Sequence, residues 1–221
     1  MCVMTNNFDL DFNTILQDYL SASGEDNNLI LSNLIELENK FSLDEIAEIY
    51  NYFLKNIQNA IVLKALIKRV NTLKPEECLD TLLDMLLLKK SFKDNLSEAE
   101  NNIELRVNIA KVVSNYKDNK AVLPLLYCMN NKDEHYKIRL ACAEALGKIG
   151  DKYAVSPLID LVSDEDEKSV YVRESAAVAL GMIGDMRAVD SLVNILEAKK
   201  TFMSKFTFLK ERIIEALGKI N

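Results

Sequence analysis

The sequence predicts an all-α protein in which helical hairpins stack into a solenoid. Two observations support this fold class. First, Ile138–Val162 and Val172–Leu196 are copies of one segment, offset by 34 residues, with 11 of 25 positions identical. Second, the chain has almost no runs that alternate apolar and polar residues between Gly or Asn turns, so strand signals are nearly absent. A repeat of this length is typical of supersecondary units that each bury an apolar face against a neighbour.

Each repeat is predicted to be a pair of helices. The first copy has apolar residues at helical spacing on one face, namely Ile138, Ala141, Cys142, Ala145 and Ile149. Gly150 and Gly184 follow the last periodic residue of their copies, where a helix commonly ends in a left-handed glycine. Prolines are tolerated at helix starts because the first-turn amides lack intrahelical partners. All three prolines lie where a second helix is expected to begin: Pro75, Pro124 and Pro157.

Residues 1–74 are predicted to form divergent hairpins that cap the solenoid, since terminal repeats have one side without a neighbour. The expected helices begin with an amphipathic segment around Phe8–Leu20 and continue with Leu29–Asn39, Leu43–Lys55 and Ala60–Leu73. Ser42 and Glu45 have the spacing of a capping box at the start of the third helix.

Residues 75–221 are predicted to form the regular repeats, continuous with the N-terminal hairpins as one domain. The hairpin that begins at Pro75 is expected to carry a polar surface loop, Ser91–Asn102, before its second helix, Ile103–Tyr116. Ala154–Val162 is expected to be an outer helix and Val172–Ile183 the inner helix of the same hairpin. The last hairpin holds an apolar linker, Phe202–Phe208.

The first copy is marked by the residues Ile138, Arg139, Ala143, Ala145, Leu146, Gly147, Ile149, Gly150, Asp151, Ala154, Val155, Pro157, Leu158 and Ile159. This pattern resembles the HEAT-repeat superfamily, and more narrowly the short HEAT-like repeats first associated with phycobilisome lyases. The resemblance covers Glu104–Asn221. It implies a right-handed α-solenoid whose second helices line a concave face, with a role in binding a partner. Some members are enzymes or enzyme subunits, namely bilin lyases, a type of alkylpurine DNA glycosylase and deoxyhypusine hydroxylase, so membership alone does not settle function.

Composition narrows the function classes. The apolar content of 49% and the charged content of 28% are those of a globular protein. No signal peptide or membrane span is predicted, and the four cysteines show no CxxC spacing, so a cytoplasmic protein with reduced cysteines is expected. Met1–Asn102 carries 9 Lys and Arg against 17 Asp and Glu, hence −8, and the remainder carries 18 against 17, hence +1. This balance argues against a nucleic-acid-binding surface, which needs clustered cations.

Residues with catalytic or metal-binding chemistry are sparse, and we predict no catalytic, cofactor or metal site. The single histidine, His135, is expected to be a turn residue, because metal sites recruit several His, Cys or carboxylate ligands. The iron-binding His-Glu pairs of relatives that resemble deoxyhypusine hydroxylase are absent, which excludes that activity. Cys142 aligns with Ala176, which favours packing over nucleophilic chemistry. The acidic run Asp164–Glu167 lacks the ligand spacing of a calcium loop and is interpreted as a solvated turn.

An arginine recurs at one position of three repeats: Arg106, Arg139 and Arg173. It could bind phosphate, or it could pair with an acidic residue or a carbonyl of the adjoining turn. We favour the pairing, because a bidentate guanidinium contact suits a repeated joint.

Rotation by 100° per residue places three positions of each inner helix opposite the core face, the third being Ser114, Gly147, Gly181 or Gly218. Because this row mixes carboxylates with small and apolar residues, it suits a basic or amphipathic segment of another protein better than DNA, although it could also be a merely solvated face. The predicted interaction residues are Lys111, Leu140, Glu144, Glu174, Val178, Glu211 and Glu215.

The favoured function is therefore a non-catalytic, protein-binding adaptor or scaffold. The resemblance leaves two alternatives: a lyase-like or chaperone-like subunit acting on a cofactor- or chromophore-bearing protein, and DNA-lesion binding, which the charge balance disfavours. No membrane partner is expected, and the oligomeric state stays open.

Overall fold

The computed structural model describes residue 14 and residues 26–87, 96–198 and 207–220. These residues form helices and turns, with no strand among them. The all-α prediction is therefore confirmed. The α-helices of the described residues are α1 (Asn27–Lys40), α2 (Leu43–Asn56), α3 (Ala60–Leu73), α4 (Glu77–Leu86), α5 (Leu96–Tyr116), α6 (Val122–Asn130), α7 (Tyr136–Ile149), α8 (Val155–Ser163), α9 (Val170–Ile183), α10 (Val189–Ala198) and α11 (Thr207–Lys219).

The chain divides into two compact units. The first consists of Met1–Met85 with Lys90–Leu105, and the second of Leu86–Lys89 with Arg106–Asn221. No helix in the described part of the chain combines the length and the apolarity needed to cross a membrane.

In the first unit, α1, α2 and α3 pack against one another around a core that contains the fully buried Tyr50 and Phe53. The hydroxyl of Tyr50 donates to Glu38 Oε1 at 2.5 Å, and Arg69 Nε donates to the same oxygen at 2.8 Å. Burial, with the hydrogen bond to Glu38, raises the pKa of Tyr50. This buried polar network ties α1, α2 and α3 together.

The capping box at the start of α2 is confirmed. The Ser42 hydroxyl accepts the N–H of Glu45, and the Glu45 carboxylate accepts the N–H of Ser42 at 2.8 Å. Each half satisfies an amide that has no partner within the helix.

In the second unit, helices alternate between an inner and an outer row. The inner helix α9 packs against α7 on one side and against α11 on the other, while the outer helices α6, α8 and α10 pack against α7, α9 and α11 respectively. The helix boundaries expected for the outer helix Ala154–Val162 and the inner helix Val172–Ile183 agree with α8 and α9 to within two residues at each end.

The inner-to-outer turn has the same construction in each repeat. Gly150 and Gly184 end α7 and α9 with φ of 79° and 68°, the left-handed region that glycine adopts without steric cost. An aspartate then caps a single 3₁₀ turn by accepting the N–H two residues ahead, which redirects the chain into the outer helix. These aspartates are Asp118, Asp151 and Asp185.

Consecutive inner helices approach one another very closely. A Cβ added at Gly147 would lie 2.7 Å from Ala179 Cα, and one added at Gly181 would lie 2.8 Å from Ala216 Cα. Both distances are too short for any side chain, and the atom met is backbone that cannot rotate away. The repeated glycine is therefore a packing requirement of the stack rather than a turn residue.

One interpretation from the sequence is wrong. Leu96–Asn102 was expected to belong to a surface loop, but it forms the first turns of α5, which begins at Leu96. The segment is polar, yet its Glu and Ala are good helix formers, so propensity outweighs the loop-like composition. The expected helix Phe8–Leu20, apart from residue 14, and the linker residues 202–206 lie outside the described residues.

The close approach of the inner helices predicts opposite effects at two equivalent glycines. Gly147→Ala should lower the free energy of unfolding by about 1–3 kcal/mol, because the new methyl group forces α7 and α9 apart. Gly218→Ala is the matched control, since a Cβ there meets no atom within 4 Å. It should be neutral or stabilising by less than about 1 kcal/mol through helix propensity. Urea unfolding of the two variants measures both changes, and equal losses would show that the close contact is not what selects glycine.

Candidate protein-interaction surface

The recurring arginines are structural joints. Arg139 Nε donates to the Met129 carbonyl at 2.8 Å, and its Nη2 donates to the Glu167 carboxylate at 2.6 Å. Both side chains of this ion pair are buried. The arginine thus binds the C-terminal end of the preceding outer helix and the turn before the next inner helix at once.

The other two arginines make the same kind of contact. Arg106 donates to the Leu86 carbonyl at 2.9 Å and to Glu134 at 2.5 Å, and Arg173 donates twice to the Val162 carbonyl, at 3.0 and 2.9 Å. The predicted pairing with a carbonyl or an acidic residue is confirmed. Since these guanidinium groups are buried and already bonded, none of them is available for a phosphate.

His135 caps a helix. Its Nδ1 accepts the N–H of Lys137 at 3.2 Å, so the imidazole takes the place of the usual hydroxyl or carboxylate at the start of α7. Across the described ranges, no three His, Cys, Asp or Glu side chains are arranged so that they could hold a metal ion.

The acidic run is a paired turn in the structure. Asp164 forms an ion pair with Lys132 at 2.7 Å, which lowers the pKa of that carboxyl, and Glu167 is held by Arg139. An open groove of about 560 Å³ beside this turn is lined partly by these same groups. Lys132 and Asp164 pair with each other and Arg139 is held by Glu167, so three of the four charged groups that line the groove are already paired, and it does not form a separate candidate site.

The described cysteines pack in the interior. Burial raises the pKa of the Cys78 thiol to about 12. The hydrogen bond to Cys128, together with burial, raises the pKa of the Cys142 thiol. These thiols are free. Their burial agrees with the packing role expected for Cys142.

The predicted interaction residues lie on the inner helices of the second unit, on a surface that we call the inner face. Lys111, Glu211 and Glu215 are exposed at its two ends. The residues between them are half-buried: Leu140, Glu144, Glu174 and Val178. All seven therefore reach solvent at least in part.

The third position of the predicted row is not on the inner face. Ser114, Gly147 and Gly181 are buried, and the two glycines contact the next inner helix. A rotation calculated for one helix finds the side opposite its outer partner, but it does not account for the neighbouring inner helix, which covers part of that side. Gly218 is exposed because no helix of the described residues packs on it.

Three large apolar side chains on the inner face are not among the predicted interaction residues, and one of them, Phe208, was assigned to the apolar linker but lies in α11, which begins at Thr207. Tyr171 and Met182 are 60% and 44% exposed on α9, in register with Glu174 and Val178, and Phe208 is 69% exposed on α11. Tyr171 and Phe208 occupy the same repeat position, three residues before Glu174 and Glu211. Alignment of the last repeat at that position is the signal that could have found them.

Arg212 was also missed. It places a positive charge among the carboxylates of Glu174, Glu211 and Glu215. It donates to Glu215 at 2.8 Å and lies close enough to Glu174 and Glu211 that their charges help to raise its pKa. Desolvation raises the pKa of Glu174, while Arg212 partly opposes that shift. The equivalent residues Ala141 and Ser175 are small, so an arginine at this position is specific to the last repeat.

Sequences of HEAT repeats match this chain in two overlapping stretches, residues 90–170 and residues 122–205. Together the two stretches cover more than half of the chain. The chain belongs to the HEAT-repeat family. No curated protein matches it.

HEAT repeats are generally protein-interaction scaffolds, so membership of the family supports a role in binding another protein. The HEAT repeats of this chain place their joint-forming arginines, packing glycines and capping aspartates in the interior or in turns. The side chains left on the inner face are those that vary between repeats. In a repeat protein, the residues that vary on the exposed binding surface determine which partner is bound, while the repeated residues maintain the stack.

The buried joint predicts a large loss of stability when one partner is removed. Arg139→Met should lower the free energy of unfolding by about 3–5 kcal/mol, because Glu167 then remains buried without its counter-charge. The double variant Arg139→Met/Glu167→Leu should recover part of that loss. Arg212→Met, which breaks an exposed pair on α11, should have a much smaller effect. Chemical denaturation measures all three, and wild-type stability in Arg139→Met would contradict the structural assignment.

Proposed function

We propose that this protein is a non-catalytic, cytoplasmic adaptor or scaffold that binds another protein along the inner face of its HEAT repeats. The observation that carries the proposal is the row of exposed Tyr171, Met182 and Phe208 beside the carboxylates of Glu174 and Glu211. The interior of the fold does not require large apolar side chains at these exposed positions. Exposed aromatic side chains surrounded by polar groups are typical of binding hot spots.

The chemistry of the inner face favours a basic, amphipathic segment as the partner. Aromatic and methionine side chains on α9 and α11 would take the apolar face of such a segment. Glu211 and Glu215 are exposed on α11 and would attract the Lys or Arg residues of the segment. Arg212 donates to Glu215 at 2.8 Å, so a basic residue of the segment that binds Glu215 would compete with Arg212 for that carboxylate.

The repeats are further proposed to be of the short HEAT-like type first associated with phycobilisome lyases. The Gly-Asp pair that follows α7 and α9, at residues 150–151 and 184–185, supports this subtype. The subtype concerns the form of the repeat, and the proposed role remains binding rather than catalysis.

The proposal is tested by charge reversal on the inner face. Glu174→Lys/Glu211→Lys/Glu215→Lys should stay folded and should lose the partners that the wild-type protein captures from native lysate, because like charges then repel a basic segment. The matched control reverses three exposed carboxylates away from the inner face: Asp133, Asp160 and Glu197. It has the same net charge and should retain the partners, as measured by quantitative mass spectrometry of the captured proteins.

The difference between the two triple variants should shrink as salt is raised, since exposed charges are screened beyond about 8–10 Å at ordinary ionic strength. If the inner-face variant and the control capture the same proteins in the same amounts, the inner face is not the binding surface.

A further inference from the structure

A second surface of the second unit lies on the outer helices, where each capping aspartate fixes the residue two positions ahead. Asp118 accepts the N–H of Lys120 at 2.8 Å, and Asp151 accepts the N–H of Tyr153 at 2.7 Å. Both of these capped residues are exposed. The repeated turn thus presents one outward side chain per hairpin from a fixed backbone.

Three large apolar side chains lie next to these turns. Leu123 and Tyr127 are 64% and 69% exposed and lie four residues apart on one face of α6, just after the turn that contains Lys120. Tyr153 is 66% exposed in the turn that packs against α6. We call the surface formed by Lys120, Leu123, Tyr127, Lys152 and Tyr153 the outer patch.

The fold does not require apolar residues at this place. One repeat later, the positions equivalent to Leu123 and Tyr127 are Ser156 and Asp160, which are also exposed. The same outer-helix position therefore tolerates polar residues, and its apolar character is specific to α6. Exposed Leu and Tyr beside one another indicate a surface that contacts another molecule.

Lys152 forms one long ion pair, with its Nζ 3.8 Å from Asp185 Oδ2, and its side chain stays 75% exposed. Lys120 and Lys152 lie in the turns that lead into the N-terminal ends of α6 and α8, where the helix dipole disfavours a cation. Lys117 and Lys148 add two more exposed cations beside the same turns. The carboxylates within residues 117–121 and 148–154 are Asp118 and Asp151, and both are bonded to the backbone as caps.

We propose that the outer patch is a docking surface for an acidic segment of another protein, one that carries apolar side chains between its carboxylates. Charge complementarity with the four lysines selects the acidic segment. Leu123, Tyr127 and Tyr153 would take its apolar side chains. This surface is separate from the inner face, has the opposite charge, and does not depend on the function proposed above.

A protein segment fits this surface better than a nucleic acid. Asp118 and Asp151 lie among the lysines and would repel closely spaced phosphates, whereas a peptide can keep its carboxylates apart. Leu123 offers no ring on which a base could stack.

The test uses the full chain and a short fluorescent peptide of glutamate, alanine and leucine, arranged as an amphipathic helix. Binding is measured by fluorescence anisotropy at low and at moderate salt. Lys120→Glu/Lys152→Glu should weaken binding about tenfold or more, since two attractive charges become repulsive. Leu123→Ser/Tyr127→Ser should weaken it several-fold with a smaller change in salt dependence, because it removes apolar contact rather than charge.

The charge-matched control is Lys137→Glu/Lys168→Glu, which reverses two exposed lysines near the starts of α7 and α9 and should leave binding within about twofold of wild type.

Three results would overturn the proposal. The wild-type chain could fail to bind the acidic peptide saturably, or the control could lose as much affinity as Lys120→Glu/Lys152→Glu. A single-stranded oligonucleotide of equal charge could also bind more tightly than the peptide, and that binding could depend on Lys120 and Lys152, which would assign the outer patch to nucleic acid instead. Circular dichroism of each variant checks that all of them retain the helical fold.

Discussion

The backbone contact between consecutive inner helices is the constraint on which the second unit depends. Gly147 lies against Ala179, and Gly181 lies against Ala216, at distances that leave no room for a side chain. This spacing brings the turn before α9 within reach of Arg139, so that Glu167 can form its buried ion pair there. It also decides which side chains of each inner helix remain in contact with solvent. The interior joints and the set of side chains left exposed on the inner face are therefore two consequences of one helix-to-helix distance.

The framework leaves two surfaces with different chemistry. On the inner helices, carboxylates stand beside Tyr171, Met182 and Phe208, and we propose that this face binds a basic segment. On the outer helices, lysines stand beside Leu123, Tyr127 and Tyr153, and we propose that this patch binds an acidic one. Neither set is repeated through all the hairpins, whereas the packing glycine recurs in α7 and α9 and the capping aspartate recurs after α5, α7 and α9. Residues that the stack needs recur, and those that contact a partner need not.

The sequence predicts well the features that each repeat copy contains within itself. The left-handed Gly150 and Gly184 and the capping box at Ser42 follow from local spacing. The pairing of Arg139 was predicted from the recurrence of an arginine in three repeats, although its partner Glu167 lies in the turn before the next inner helix. Features that depend on a third element are predicted poorly. Gly147 was assigned to an exposed row because a rotation about one helix axis cannot show where α9 lies. The start of α5 was missed because the polar composition of Leu96–Asn102 indicates a loop, whereas the helix propensity of its Glu and Ala residues favours α5. Arg212 was missed because its electrostatic interaction is with Glu174, which lies on another helix.

The central claim is that a partner protein lies on the inner face, and site-specific photo-crosslinking tests it most directly. A photoreactive amino acid placed at Val178, between Tyr171 and Met182 on α9, reports any protein in contact with that face. The same group at Asn194, exposed on α10 and outside both proposed surfaces, is the reference. We expect a discrete covalent adduct in cells from Val178 and none from Asn194. An adduct from Asn194 with none from Val178 would contradict the account.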